Sequence, residues 1–370
     1  MNKIKAAIIL PYFGPGGAEK MAAQLAAGLD REQFDVEVFC IYSQPLHNHL
    51  EKMVGAAGVP IHFIGKKRGF SIKAVAKLFQ ALDKFGPDLI HTHQYACLYA
   101  SPWAVARKKS FLHTLHTLPA IENKRALRRI VTKFLTARDI MTPVAISKSN
   151  QRMVADYYGL PLERVPMIHN PVDVKRFASG ERMEDGQFRF ITAGRFSPEK
   201  NQQMMYRAFA SFVDSGNDAR LLMLGKGAEE ENLKSLAREL KIDDRVDYAG
   251  FVPNVEDYLK TADVFLLSSH YEAQPLCVLE AMAAGLPVIS TDVGGVADIV
   301  TDNGILVAPG DAEAMANAMK NLRLDENLRK TMSSRSASRA AGFDVSNTIA
   351  GYSHLYARVI SDKKLGEEKE

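Results

Sequence analysis

The chain has 370 residues, of which 46% are hydrophobic and 24% are charged, a composition typical of a soluble globular protein. A chain of this length exceeds one ordinary core and predicts two domains. The net charge of +4 is too small to indicate nucleic-acid binding, and no apolar stretch is long enough to predict a membrane span. The three cysteines, Cys40, Cys97 and Cys277, have no metal-ligand spacing, so we expect reduced packing residues in a cytoplasmic protein.

Short apolar runs alternate with helical patterns along the chain, which predicts parallel sheets covered by helices. The strands predicted in the first half are Lys5–Leu10, Asp35–Ile41, Ile61–Ile64, Leu89–Thr92, Phe111–His116 and Pro143–Ile146. Those predicted in the second half are Arg189–Ala193, Ala219–Leu224, Val246–Tyr248, Val264–Leu267 and Pro287–Thr291. Between the halves, Ser179–Gln187 is polar and contains glycine, so a linker is predicted there. The sequence therefore predicts α/β domains over residues 1–180 and 187–343.

Two glycine-containing loops follow predicted strands. Gly16 and Gly17 lie between the first strand and a helix that begins near Glu19. Glycine lets the backbone approach an anion closely and adopt the positive φ of an anion-binding nest. Gly225 begins a similar loop after Ala219–Leu224. For both loops, ligand binding and an ordinary turn are alternative interpretations.

Four of the ten histidines lie close together in the sequence: His91, His93, His113 and His116. Two histidines at i and i+2 on a strand share a face, so a metal site is one interpretation. No carboxylate or cysteine with ligand spacing accompanies them, which argues against it. A hydrogen-bonded polar histidine at the end of a strand is the other interpretation.

A basic segment with helical apolar spacing follows the histidines. Its basic residues are Lys124, Arg125, Arg128, Arg129 and Lys133, and its apolar residues are Leu127, Ile130, Val131, Phe134 and Leu135. Such an amphipathic helix either packs its apolar stripe on the core or contacts anionic lipid headgroups or an anionic acceptor. The run Lys66-Lys67-Arg68, just before Phe70, would extend that surface.

Glu272 and Glu280 bracket the start of a predicted helix, Pro275–Ala284. Glu272 lies on the loop after the strand Val264–Leu267, and Glu280 is expected to point out of the first turns of the helix. Because proline has no N–H, the free amides for an anion would be those of Leu276 and Cys277. Two carboxylates around a phosphate site suit a nucleotide-sugar, whereas two solvated glutamates are the alternative.

Arg195 and Lys200 follow the strand Arg189–Ala193. Arginine supplies a planar fork of donors and lysine a compact charge, and together they suit a diphosphate. Without further context, two cations on a loop are usually solvated side chains with no ligand.

Taken in chain order, these segments resemble glycosyltransferase family 4, a family of retaining enzymes with the GT-B fold. The matching segments are Gly16–Glu19, Ile168–Asp173, Gly194–Asn201, Glu272–Val288, Asp292–Asp298 and Asn303–Val307, the last two as loop segments. Pro171 replaces the glycine usual in the second segment. The resemblance implies an α/β fold of two Rossmann-like domains whose parallel sheets face across a cleft. It also implies that the last helix, within residues 344–370, crosses back onto the first domain with Tyr352, Leu355 and Tyr356 on one face.

The resemblance assigns roles to individual residues. The implied catalytic residues are His116, Glu272, Arg195 and Lys200. The implied donor-binding residues are Gly16, Gly17, Arg195, Lys200, Gly225, Leu276, Cys277 and Glu280. On the acceptor side we expect His93, Lys124 and Arg128. Ala273 and Gln274 replace the Gly-Phe common in the family, which leaves the donor sugar open.

The implied function is transfer of a sugar, with retention, from a UDP- or GDP-sugar to a hydroxyl of a glycan or lipid-linked glycan in bacterial cell-surface polysaccharide or glycolipid synthesis. The chain lacks the Asp-x-Asp motif of the other large glycosyltransferase fold, so no metal or cofactor is expected. The expected location is the cytoplasm or the inner face of the cell membrane. A sugar-nucleotide epimerase, a non-catalytic nucleotide-sugar-binding protein and a histidine-based metal hydrolase are the alternatives.

Overall fold

A computed structural model describes residues 3–14, 16–42, 48–67, 69–178 and 186–367. The chain divides into two compact units, the first made of Met1–Pro171 with Val345–Glu370 and the second of Val172–Asp344. The division therefore lies before the predicted linker Ser179–Gln187, of which residues 179–185 are outside the described residues.

The first unit contains a six-stranded parallel sheet in the order β3-β2-β1-β4-β5-β6. Its strands are β1 (Ile4–Leu10), β2 (Phe34–Tyr42), β3 (Ile61–Lys66), β4 (Leu89–His93), β5 (Ser110–Thr114) and β6 (Met141–Val144). The six strands predicted here are present, and their ends differ from the prediction by at most two residues. Strand order reverses between β1 and β4, and ligands of open α/β sheets bind beyond the carboxyl ends of the strands at such a reversal.

Helices cover both faces of this sheet. They are α1 (Gly17–Gly28), α2 (His49–Ala56), α3 (Ile72–Phe85), α4 (Cys97–Ala106), α5 (Pro119–Glu122), α6 (Ala126–Ala137), α7 (Lys148–Tyr158) and the last helix of the chain, α15 (Val345–Glu367). The ends of a helix are set by capping residues, as in α3. The Ser71 side chain accepts a hydrogen bond from the amide of Ala74 and caps α3, and Gly86 ends that helix at a φ of +66° that favours glycine.

The helix α15 packs against this sheet through aromatic side chains. Tyr352, Leu355 and Tyr356 are buried, and the ring of Tyr356 meets that of Phe34 edge-on at 6.0 Å. The Tyr356 hydroxyl lies 2.7 Å from Nδ1 of His91. The predicted face of the helix is therefore the face that the core of the first unit covers.

The helix α6 differs from the simple expectation that its apolar stripe packs on the core. Leu127, Ile130 and Phe134 are 55%, 64% and 50% exposed, whereas Leu135 is buried. Two faces of this helix differ in exposure. A narrow face that includes Thr132 and Leu135 is buried, and an apolar row at i, i+3 and i+7 is exposed.

The expected contribution of Lys66-Lys67-Arg68 to a basic surface is wrong for Lys66. This side chain is buried, Lys67 is exposed, and Arg68 lies outside the described residues.

The second unit repeats the plan with a parallel sheet in the order β12-β11-β10-β7-β8-β9. Its strands are β7 (Arg189–Ala193), β8 (Arg220–Leu224), β9 (Val246–Gly250), β10 (Val264–Leu267), β11 (Val288–Thr291) and β12 (Gly304–Val307). Its helices are α8 (Val174–Ala178), α9 (Gln202–Asp214), α10 (Glu230–Glu239), α11 (Val255–Leu259), α12 (Leu276–Ala283), α13 (Ala312–Leu324) and α14 (Glu326–Ala340). Strand order reverses between β7 and β10, so the loops after these two strands are neighbours.

The segment Asn303–Val307, predicted as a loop, is instead mostly the edge strand β12. It pairs with β11 from Gly304 onward. A Cβ atom at Gly304 would lie 2.2 Å from the carbonyl oxygen of Val288, so only glycine allows the two strands to meet at this point.

We predict that Tyr356→Phe destabilises the first unit, because it leaves Nδ1 of buried His91 without its partner. An unmade hydrogen bond of this kind costs about 1–3 kcal/mol. Tyr157→Phe is the matched control, because the Tyr157 hydroxyl is a buried oxygen that has no hydrogen-bond partner among the described residues. Thermal unfolding of both variants should show a lower midpoint for Tyr356→Phe only. Equal midpoints would contradict the role given to the His91 contact.

Candidate active site

His91 is a structural member of the polar layer between β4, β5 and α15. Its Nδ1 contacts the Tyr356 hydroxyl at 2.7 Å, and its Nε2 contacts Oγ1 of Thr114 at 2.7 Å. Oγ1 of Thr114 also contacts the Tyr352 hydroxyl at 2.8 Å. Burial lowers the pKa of His91 well below its ordinary value, so the ring is neutral. Both nitrogens are occupied, and the described residues contain no cluster of three or more side chains suited to a metal ion.

His113 makes a buried contact with a carboxylate that the sequence did not reveal. Its Nε2 lies 3.0 Å from Oε1 of Glu122, and its Nδ1 lies 2.9 Å from the Thr92 hydroxyl and 3.2 Å from the Thr92 carbonyl oxygen. Both ring nitrogens therefore have polar partners. Burial alone would raise the pKa of Glu122, but the hydrogen bond and charge of His113 outweigh burial and lower it. Glu122 lies on the short helix α5, and no spacing rule connects it with His113.

His93 and His116 come together at the carboxyl ends of β4 and β5. Nδ1 of His93 lies 2.9 Å from Nε2 of His116, with the rings tilted. Burial lowers the pKa of His116 to about 4 and that of His93 well below its ordinary value, so both rings are neutral at pH 7. One proton therefore lies between them. His93 is buried, and in the described part of the chain its Nε2 has no hydrogen-bond partner.

The two basic residues expected on the acceptor side occupy different environments. Lys124 is exposed. Arg128 is half-buried, and its Nε is buried with no hydrogen-bond partner within the described ranges. Its charge contributes to lowering the pKa of Glu122. Contact of either residue, or of His93, with an acceptor stays a prediction.

The glycine loop after β1 is not the positive-φ nest that we expected. Gly16 has φ −85° and caps α1, and Gly17 is the first residue of that helix. A Cβ atom at Gly16 would lie 2.3 Å from Oε2 of Glu19, so the end of that side chain would have to shift. Glu19 is itself buried and accepts a 2.9 Å hydrogen bond from Gln94, which follows β4 at a left-handed φ of 53°. The loop thus makes room for a buried carboxylate beside the strand reversal.

In the second unit, Lys200 and Glu272 join the loops that follow β7 and β10. Nζ of Lys200 lies 2.5 Å from Oε1 of Glu272, and the Ser269 hydroxyl donates to the same oxygen at 2.8 Å. The Ser268 hydroxyl donates to the carbonyl oxygen of Lys200 at 2.9 Å. Burial opposes the charge of Lys200, but the charge and hydrogen bond of Glu272, together with smaller contributions that include the charge of Glu199, outweigh burial and raise the pKa of Lys200. The lysine is therefore charged at neutral pH, and Glu272 takes only one of its three N–H donors.

The Arg195 side chain, unlike that of Lys200, is exposed and is not fixed by a contact with another described residue. Its guanidinium is exposed, and no hydrogen-bond or ion-pair partner holds it within the part of the chain that the structure describes. Its backbone is fixed, since Gln202 donates a 2.9 Å hydrogen bond to its carbonyl oxygen. In the described structure, the loop after β7 therefore carries one cation held by an ion pair, Lys200, and one exposed cation, Arg195.

Glycines allow the neighbouring loops to pack on the backbones of these two loops. A Cβ atom at Gly225, which has φ +137°, would lie 1.9 Å from the carbonyl oxygen of Gly194. A Cβ atom at Gly294, which has φ +52°, would lie 1.9 Å from the carbonyl oxygen of Glu272. The amide of Gly295 donates to that same carbonyl oxygen at 3.0 Å. Gly225 thus has a packing role, and its contact with a ligand stays a prediction.

The start of α12 offers backbone donors beside this pair. Pro275 is the N-cap, and the amides of Leu276 and Cys277 donate to no group of the described chain. Burial raises the pKa of the Cys277 thiol to about 12, so this thiol is not a nucleophile.

Glu280 does not point outward as expected. Its side chain is buried, and its charge is among those that raise the pKa of Arg176, whose first cause is the hydrogen bond to Glu256.

Comparison with known proteins agrees with this geometry. The family model described as Glycosyltransferase Family 4 matches residues 15–176, and the model described as Glycosyl transferases group 1 matches residues 174–339. The chain therefore belongs to the group 1 glycosyltransferases, is similar to their family 4, and is a glycosyltransferase with the GT-B fold. An epimerase, a non-catalytic binding protein and a metal hydrolase are not favoured.

Two curated relatives and one solved structure indicate the range of similarity. UDP-Gal:alpha-D-GlcNAc-diphosphoundecaprenol alpha-1,3-galactosyltransferase of Escherichia coli is 25% identical, over 98% of this chain and 99% of its own length. N-acetyl-alpha-D-glucosaminyl L-malate synthase of Bacillus anthracis is 27% identical, over 80% of this chain and 82% of its own. The crystal structure of Anabaena HepE with UDP and glucose matches with a TM-score of 0.83 and 21% identity, over 96% of this chain and 99% of that one.

We predict that Gly294→Ala weakens nucleotide binding, because the new Cβ atom displaces the backbone of Glu272. Gly310→Ala is the matched control, since Gly310 also has a left-handed φ, +87°, but no atom of the described residues lies within 4 Å of its added Cβ. Overpacking costs about 1–3 kcal/mol, and 1.4 kcal/mol is a tenfold change in affinity. Calorimetric titration with UDP should show roughly tenfold weaker binding for Gly294→Ala than for Gly310→Ala. Equal affinities would place this loop outside the binding site.

Proposed function

We propose that this glycosyltransferase moves a sugar from a UDP-sugar to a hydroxyl of a lipid-linked or other glycan acceptor. The reaction is proposed to retain the anomeric configuration and to need no metal ion. Its proposed place is bacterial surface polysaccharide or glycolipid synthesis. The observation that carries the proposal is the charged Lys200 at the strand reversal of the second unit. It lies beside Glu272 on a loop that also presents the free Arg195.

The positive groups of this site suit a diphosphate leaving group. Within the described structure, Lys200 retains two N–H donors beyond its contact with Glu272, and the amides of Leu276 and Cys277 have no hydrogen-bond acceptor. When the bond between sugar and diphosphate breaks, negative charge grows on the departing phosphate. Fixed donors aimed at developing charge stabilise the transition state more than the ground state. In this proposal Lys200 and Arg195 supply the charge that a divalent metal supplies in other enzymes.

Retention is proposed to proceed by displacement on the same face of the sugar. Glu272 is the carboxylate in the site that could compete as a covalent nucleophile. Its Oε1 already accepts hydrogen bonds from Lys200 and Ser269, which reduces its nucleophilicity. The departing phosphate then takes the proton of the acceptor hydroxyl as the new glycosidic bond forms. His116, neutral at pH 7, would contact the donor sugar as a hydrogen-bonding group rather than as a charge.

The choice of a UDP-sugar and a lipid-linked acceptor rests on related proteins. The Escherichia coli relative is named for UDP-Gal and for an acceptor attached to diphosphoundecaprenol. A crystal structure of HepE in complex with UDP-glucose matches this chain with a TM-score of 0.83. We therefore favour UDP over GDP, and Glu280 is the proposed partner of the ribose hydroxyls.

A lipid-linked acceptor also suits peripheral attachment to a membrane. The structure describes no helix long and apolar enough to span a bilayer. On α6, however, Leu127, Ile130 and Phe134 are exposed together with Arg129 and Lys133. An exposed apolar row flanked by basic side chains can insert into the headgroup region of an anionic leaflet. We propose that α6 attaches the enzyme to the cytoplasmic leaflet.

The transfer is tested by incubating the enzyme with UDP-galactose and an alkyl-diphospho-N-acetylglucosamine, with and without EDTA. We expect UDP release that depends on the acceptor and survives EDTA, and an α-linked product by NMR. A β-linked product would contradict retention, loss of activity in EDTA would contradict metal independence, and UDP release without acceptor would contradict transfer.

In the same assay Lys200→Ala and Arg195→Ala should lower kcat on the order of a hundredfold or more, with smaller effects on UDP affinity, because the phosphate charge grows in the transition state. Lys320→Ala removes an exposed lysine of α13 and should leave kcat unchanged. A change below about threefold for both site variants would mean that this loop is not at the reaction centre.

We predict that the enzyme co-sediments with anionic vesicles at low salt. Each basic side chain near the vesicle surface contributes about 1 kcal/mol to binding, and salt weakens this electrostatic contribution. The combined substitution Leu127→Ser, Ile130→Ser and Phe134→Ser should abolish sedimentation, and Arg125→Gln, Arg129→Gln and Lys133→Gln should remove its salt dependence. Leu324→Ser, at a comparably exposed leucine of α13, is the control. Wild type in the supernatant at low salt would show that α6 is ordinary surface.

A further inference from the structure

Lys66 is a buried cation that neither the donor site nor α6 explains. Only 6% of the residue is exposed. Its Nζ donates to the Tyr42 hydroxyl at 3.0 Å and to the carbonyl oxygen of Lys67 at 2.9 Å. No carboxylate lies within ion-pair distance of it in the described part of the chain. A buried charge without a counter-ion is costly, and proteins usually pair it.

Aromatic rings surround this ammonium and connect it with the surface. Its Nζ lies 4.3 Å from the centre of the Tyr42 ring and 5.7 Å from that of Tyr99. Tyr42 meets Tyr12 and Tyr95 edge-on, each at 6.3 Å, and Phe70 lies 5.4 Å from Tyr99. The group of Lys66, Tyr12, Tyr42, Phe70, Tyr95 and Tyr99 is called the Lys66 cluster below. Its rim is accessible, since Tyr12 and Phe70 are 37% and 57% exposed.

The Lys66 cluster lies at the carboxyl edge of the first sheet. Tyr42 and Lys66 end β2 and β3, Tyr12 follows β1, and Tyr95 follows β4. In open α/β folds this is the edge at which ligands bind. Tyr95 is also two residues beyond His93, which contacts His116. The cluster thus borders the catalytic side of its unit.

The electrostatic character of the cluster is positive. The hydrogen bond from Lys66, followed by that of Tyr95, lowers the pKa of the Tyr42 hydroxyl, and the charge of Arg125 adds to this effect. Two cations therefore act on one phenol at this edge. Aromatic faces next to positive charge suit a ligand that carries both a sugar ring and an anionic group, because the apolar face of a sugar can pack on an aromatic ring.

We propose that the Lys66 cluster is an acceptor subsite, in which Lys66 is the counter-ion of a phosphate attached to the acceptor sugar and the exposed rings pack against that sugar. The proposal rests on the proposed function, since it concerns the acceptor of the same reaction. The phosphate is either the diphosphate of a lipid-linked sugar or the phosphate of a soluble sugar phosphate. Both carry the same chemistry, an anion one bond from a sugar ring.

The test measures binding by calorimetry without a donor. The probes are undecyl-diphospho-N-acetylglucosamine below its micelle concentration, undecyl N-acetylglucosaminide, which lacks phosphate, and soluble N-acetylglucosamine 1-phosphate. A hydrogen bond to a charged group contributes about 1.5–3 kcal/mol, or roughly 10- to 150-fold in affinity. Wild type should bind the diphosphate probe at least tenfold more tightly than the phosphate-free probe. N-acetylglucosamine 1-phosphate should bind as tightly as the diphosphate probe if the natural acceptor is a soluble sugar phosphate. It should bind more weakly than the diphosphate probe if the natural acceptor is a lipid-linked sugar.

Variants decide whether Lys66 causes this preference. Lys66→Met should erase it and Lys66→Arg should retain most of it, whereas Lys67→Met, at the exposed neighbour, should leave it unchanged. If Lys66→Met fails to fold, the rim variants Tyr12→Ala and Phe70→Ala should still weaken binding of the diphosphate probe about fivefold or more. No phosphate preference in wild type, or an unchanged preference in Lys66→Met, would overturn the proposal and leave the cluster as packing. Unaffected rim variants would overturn the stacking role.

Failure of this proposal and failure of the proposed function give different results. The subsite is read from binding of the diphosphate probe, and the transfer is read from UDP release in the transfer assay. Lys66-dependent binding without UDP release in the transfer assay would contradict the transfer and leave the subsite standing. Normal UDP release with no effect of Lys66→Met on binding would contradict the subsite alone.

Discussion

The contact between Lys200 and Glu272 depends on the reversal of strand order in the second sheet. The reversal makes the loops after β7 and β10 neighbours, and the 2.5 Å ion pair joins them. The partial burial of both side chains strengthens their attraction relative to water. The glycine at position 294 then lets a third loop rest on the carbonyl of Glu272. A cation that would otherwise be mobile becomes a fixed donor, as stabilisation of a departing phosphate requires.

The same low dielectric acts on the histidines of the first unit. His91, His93 and His116 are neutral because burial opposes their charge. His113 instead contacts Glu122, whose pKa is lowered although burial alone would raise it. One strand pair therefore holds both a buried histidine–carboxylate contact and a neutral imidazole pair. The neutral pair lies at the strand ends, where a sugar hydroxyl could reach it.

The two surface features of the first unit serve different parts of one proposed acceptor. The exposed apolar row on α6 suits the lipid, and the buried ammonium of Lys66 suits the phosphate that links lipid and sugar. Basic residues in the sequence thus fall into separate classes once burial is known. Arg129 and Lys133 are exposed, Arg128 lies close enough to Glu122 to lower its pKa, and Lys66 lies among aromatic rings.

The sequence by itself determined the alternation of strands and helices, the family, and the segments that carry Lys200, Glu272 and His116. These features follow from local periodicity and short motifs, which can be read directly from the order of the residues. The pairing of His113 with Glu122, the edge strand β12, the outward apolar row of α6 and the burial of Glu280 and Lys66 were decided only by the tertiary structure. Burial and long-range contact arise when distant segments pack, and the residues on either side of such a contact carry no local sign of it.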